Sequence, residues 1–105
     1  MSSFDEREKA QEAKFAHDAQ LQFRAEARRN KLLAVWAAEL MGRTDVDAYV
    51  TEVIAADFEE AGDEDVYRKV LADFTASKTL VGEEPLRAKM RELMILAKDQ
   101  VLNEV

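Results

Sequence analysis

A chain of 105 residues, 48% of them hydrophobic and with a formal net charge of −7, can bury one modest core, which favours a single folded domain over wholesale disorder. The absence of cysteine excludes a disulfide framework, a thiol nucleophile and a cysteine-ligated zinc site, and the acidity repels nucleic acid and anionic lipid. MSSFDEREK at the start has no apolar run behind a basic opening, and no stretch reaches the ~20 apolar residues that cross a bilayer. A cytoplasmic protein without membrane insertion is expected.

Nothing between Phe4 and Met41 breaks a helix, because the first glycine is Gly42 and the only proline is Pro85. Unbroken, that stretch would be ~57 Å long, far beyond the ~13 Å radius of gyration of a compact domain of this size. Its first half therefore has no obvious body to pack against and is expected to be a mobile arm, disordered or partly helical. Ser3 and Glu6 form a capping box, and Asp5 and Lys9 an i,i+4 pair, so a start signal exists without the packing to hold it.

From Leu21 onward, Ala25, Leu32, Leu33, Trp36, Ala37 and Leu40 recur at helical spacing up to Gly42. Thr44 and Asp47 resemble a second capping box, opening a stripe of Val46, Tyr49, Val50, Val53, Ile54 and Phe58. Asp63 is placed to cap a third segment, through Val66, Tyr67, Val70, Leu71, Phe74 and Leu80, and Glu84-Pro85 opens a fourth, with Leu86, Met90, Leu93, Met94, Ala97 and Val101 on one face. No segment alternates with period two. The fold class is therefore all-α: a four-helix antiparallel bundle over 20–105, with helices at about 20–41, 45–61, 64–80 and 85–103, behind an arm over 1–19.

The charge is unevenly spread. Arg24, Arg28, Arg29 and Lys31 stand against Glu26 alone in a basic band, and residues 32–65 then carry ten acids against Arg43. Catalytic chemistry finds little footing. His17, the sole histidine, lies at the join of arm and bundle and lacks the Glu-x-x-His context of a di-iron site. A calcium loop starting at Asp57 would need a bidentate Glu where Arg68 stands. No phosphate-binding loop or nucleophile motif occurs, so neither an enzyme nor a resident metal or cofactor is expected. Imidazole titrates near neutrality, so His17 could tune a hinge, against a plainer capping role. Arg28, Arg29 and Lys31 could dock an acidic partner or a nucleotide phosphate, or form a solvated face. Trp36 is in phase with the core. On the arm, Phe4, Gln11 and Phe15 share a helix face that Ala19 and Phe23 continue, an arrangement suited to a helix lying in a partner's groove. The competing reading has Phe15 and Phe23 packing on the bundle.

FDEREKAQEAKFAHD, ARRNKLL, WAAE and AADFEEAGDEDVYRKV together closely resemble the zeta subunit of alphaproteobacterial F-type ATP synthases, from Phe4 to about Phe74. That resemblance implies a four-helix bundle whose mobile N-terminal arm inhibits ATP hydrolysis by lodging at a catalytic alpha–beta interface beside gamma. The implied arm runs from Ser2 to Ala19, with Phe4, Arg7, Phe15 and His17 matching the family pattern. Gln11 departs from it, since that position is usually aromatic. The implied partners are the alpha, beta and gamma subunits, the implied location is peripheral to the inner membrane when bound, and the free protein is expected to be a monomer. Two other readings stand beside it: a small helical nucleotide-binding regulatory domain taking ATP or ADP, and an adaptor with weak or no inhibitory activity.

Overall fold

The computed structural model describes residues 3–15, 18–59 and 62–104, without the side chains of residues 3–5 and 7. These residues form five helices and no strand: α1 (Ser3–Phe15), α2 (Ala19–Met41), α3 (Val46–Ala56), α4 (Glu64–Ala76) and α5 (Glu83–Glu104). The longest dimension is 39 Å, too short for the ~57 Å rod that an unbroken opening helix would make. The break comes at Asp18, whose backbone is extended and whose carboxylate accepts a 3.0 Å hydrogen bond from the Leu21 amide. That bond satisfies one of the four free amides at the start of α2. The arm accordingly does find a body to pack against, namely α5.

Most of the core surrounds α2. Leu33, Ala34, Ala37 and Ala38 face Tyr49 and Val53 of α3, Val66, Val70 and Phe74 of α4, and Leu86 and Met90 of α5. Three alanines on this face let the neighbouring helices approach closely. Trp36 is half-buried at the margin, edge-on to Phe74 with ring centroids 5.8 Å apart and Lys89 above its ring. A second, smaller cluster joins Phe15 of α1 to Ala25 of α2 and Val101 of α5, with Leu21, Met94 and Leu102 around it.

Gly42 ends α2 as expected, at φ 72° with its amide turned back to Ala38 and Glu39. Three other boundaries differ from the sequence expectation. Asp45, not Thr44, is the cap of α3, and its carboxylate turns to Arg43 at 2.6 Å instead of bonding the helix. Helix α3 ends at Ala56 because the next amides tighten into i→i+3 turns, Phe58 to Ala55 and Glu59 to Ala56, while the Asp57 carboxylate accepts from Asn30. Phe58 is thereby removed from the apolar stripe and is 73% exposed. Helix α4 ends at Ala76 because Lys78 adopts φ 59° and the Thr79 amide returns to the Phe74 carbonyl at 2.8 Å. Leu80 then points fully into solvent.

Candidate functional site

Helix α1 is polar on most of its surface, and two of its described side chains are buried, Gln11 and Phe15. Phe15 fills the space between α2 and α5, with the Lys98 ammonium 5.4 Å from its ring centre. Burying a phenylalanine side chain is worth ~1.5–3 kcal/mol. Gln11, 3% exposed, donates through Nε2 to the Ile95 carbonyl at 2.9 Å and to the Asp99 carboxylate at 2.5 Å. Its Oε1 is buried without a hydrogen-bond partner among the described residues. Both donors of the amide are thus used and its acceptor is not, so the desolvation of that oxygen offsets part of what the two bonds contribute.

The expected common face of Phe4, Gln11, Phe15, Ala19 and Phe23 is divided by the turn at Asp18. Gln11 and Phe15 turn inward, while Ala19 and Phe23, on a different helix, are exposed. Phe4 and Arg7 lie on α1 with side chains outside the described residues, and His17 lies outside them altogether.

The basic band is largely engaged within the chain. Arg24 reaches Glu104 at 3.0 Å, and Arg28 bonds Gln100 at 2.8 Å and Glu104 as well. The Arg28 hydrogen bond holds the Glu104 carboxyl below its ordinary range. The start of α2 is thus tied to the end of α5. Arg29 is 2% exposed, with Nε donating to the Asn30 side-chain oxygen at 2.7 Å and a terminal nitrogen 3.2 Å from Asp63. Asn30 in turn donates to Asp57 at 2.9 Å. Arg29 and Asn30 therefore fasten α2 to both ends of the α3–α4 connection, which gives a structural task to two carboxylates of the acidic belt. Lys31 remains exposed. Among the described residues no group of three or more acidic or histidine side chains converges in a geometry suited to a metal ion.

A second ionic chain crosses α3 and α4. Tyr49 donates to Asp73 at 2.8 Å, and Lys69 bridges Asp73 and Glu52 at 2.9 and 2.8 Å. Arg43 reaches Glu52 at 3.2 Å and lies 4.5 Å from the Tyr49 ring centre. Burial, and then the bond to Asp73, push the Tyr49 hydroxyl above its usual range. The Lys69 hydrogen bond lowers Glu52.

Sequence reasoning missed the landing site of Gln11. Ile95 and Asp99 lie more than eighty positions away and carry no local signal of the contact. Asp18, by contrast, was available from the capping preference alone.

No helix among the described residues is long and apolar enough to cross a membrane. The family model described as ATPase inhibitor subunit zeta matches residues 1–100. No curated protein matches the chain. A solution NMR structure with 49% sequence identity superposes with a TM-score of 0.71, over 81% of this chain and 99% of its own. The match takes in the residues of α1 to α4 and most of α5. The chain belongs to the ATPase inhibitor subunit zeta family, and is a regulatory protein, not an enzyme.

Proposed function

We propose that this chain inhibits ATP hydrolysis by the F-type ATP synthase by inserting its N-terminal segment at a catalytic alpha–beta interface near gamma, while α2–α5 serve as a four-helix antiparallel bundle that holds the segment close. When bound, the protein is peripheral to the inner membrane, on its cytoplasmic side. The observation that supports this reading is the way α1 is attached. Among the described side chains of α1, Phe15 and Gln11 are the buried ones, and they meet α2 and α5 apart from the main core.

A helix seated on a small satellite cluster, not in the main core, can be exchanged for a groove on a partner. Helix α1 would leave α5, and Phe15 would pass from one apolar site to another. Ordering or moving a segment consumes several kcal/mol of the gross interaction, so inhibition depends on the partner presenting the matching groove.

The test is to add the purified chain, and separately a peptide of residues 2–19, to the ATPase of the same organism and follow hydrolysis. Both should inhibit, the peptide at higher concentration because it lacks the bundle's contacts. Hydrolysis unchanged by a saturating, demonstrably bound chain would overturn the reading. An inert peptide beside an active chain would move the inhibitory surface out of the arm.

A further inference from the structure

We infer that Phe23 and Phe58 form a second docking surface for the ATPase, one fitted to an amphipathic segment of that partner with acidic side chains beside its apolar face. This rests on the reading of the chain as an inhibitor tethered by its arm. Phe23 projects from α2 and Phe58 from the turn after α3, and they are 61% and 73% exposed. With Ala27 and Ile54 they line one groove of about 110 Å³. A neighbouring groove of about 360 Å³ carries the same surface across Phe23, Ala27 and Ile54 to Arg24, Arg28 and Lys31. Two large aromatics in water over contiguous apolar grooves form the kind of patch that marks an interaction site. The core closes without either of them.

The chemistry of the occupant follows from the rim. Arg24 and Arg28 share one carboxylate, Glu104, and Lys31 pairs with no carboxylate among the described residues. The flank is therefore net positive on a chain whose total charge is −7. Asp57 and Glu26 line the Phe23–Phe58 groove itself, where they accept from the Asn30 and Gln22 amides. The apolar face of the occupant therefore lies over Phe23 and Phe58, and its acidic side chains over the neighbouring groove with Arg24, Arg28 and Lys31. An acidic segment is attracted to the basic rim, whereas a second copy at −7 is repelled as a whole. A stable free-standing interface buries ~800 Å² per partner. A small contact is sufficient when another segment of the same chain is already bound, since a short tether raises its effective concentration to the millimolar range. Phe23 lies in the second turn of α2, close in sequence to the arm.

The test uses the full-length chain and direct binding to the purified ATPase, with hydrolysis read in parallel. The Phe23→Ser/Phe58→Ser double variant should bind at least about tenfold more weakly, as expected for removing two aromatic anchors. Lys31→Glu should also weaken binding, and added salt should narrow its difference from wild type. Leu80→Ser, at a leucine fully exposed and outside both grooves, should bind as wild type. Unchanged affinity in the double variant overturns the inference, as does an equal loss in Leu80→Ser. Sedimentation that shows wild type self-associating and the double variant monomeric assigns the patch to a second copy, and overturns it too. Binding without inhibition rejects the arm reading alone and leaves the patch to be decided by the affinities. Absence of any binding rejects both.

Discussion

The Gln11 amide donates to the Asp99 carboxylate across 88 positions of sequence, at 2.5 Å, tying the first helix to the last. Gln11→Ala removes this bond and the one to Ile95, and also the buried oxygen that has no partner among the described residues. The net local loss is expected at ~0.5–1.5 kcal/mol. Hydrogen exchange of the α1 amides should accelerate several-fold, while amides of Leu33 and Val70 in the main core keep their protection. Equal acceleration in both regions would show that α1 unfolds only with the whole molecule.

Phe15 and Phe74 lie in different clusters and should behave differently. Phe74→Ala empties a large site in the main core and should cost ~3–5 kcal/mol in denaturant unfolding. Phe15→Ala should cost less globally, because α1 can detach instead of leaving a cavity, and it should weaken inhibition if Phe15 also anchors the arm on the ATPase. Hydrolysis assays and urea titrations of the two variants separate these effects. A Phe15→Ala loss as large as that of Phe74→Ala would make α1 part of the cooperative core.

Lys78 occupies the left-handed region at φ 59° just beyond α4, where a side chain costs ~1 kcal/mol relative to glycine. Lys78→Gly should raise stability by ~0.5–1 kcal/mol, read as a rise of a few degrees in Tm. A decrease would mean that the greater freedom of glycine in the unfolded chain outweighs the relief of strain.

Glu52, Glu64 and Glu104 are held below their ordinary range by hydrogen bonds from Lys69, Arg87 and Arg28 respectively. A carboxyl depressed in the folded state contributes stability above its unfolded pKa, which is lost as the pH falls through the folded value. Thermal stability should therefore be level from neutrality down to about pH 4.5 and fall below it. These groups are substantially exposed, so high salt should flatten the acid limb. A Tm that rises on acidification would contradict the sign of all three shifts.

Helical content, the stop at Gly42 and the membership of α2 to α5 in one core could be read from the sequence. Each depends on neighbours three or four positions apart, or on the backbone freedom of one glycine. The ends of α3 and α4 could not, because Asp57 is drawn to Asn30 from another helix, and the turn at Lys78 is stabilised by a Thr79-to-Phe74 bond in a residue type that does not advertise it.

The candidate site divides in the same way. Periodicity alone placed Gln11 and Phe15 on one face of a helix, and they do share it. Whether that face meets solvent, a partner or α5 is a question of what lies across from it, and Ile95, Asp99 and Val101 enter only when the chain has folded. The basic band was equally visible as composition, yet only tertiary structure decided that Arg28 and Arg29 are engaged by Glu104 and Asp63 and that Lys31 is exposed. Local spacing determines which side chains travel together on a helix. Burial and charge pairing depend on contacts between residues far apart in the chain, and one sequence carries no periodic record of those.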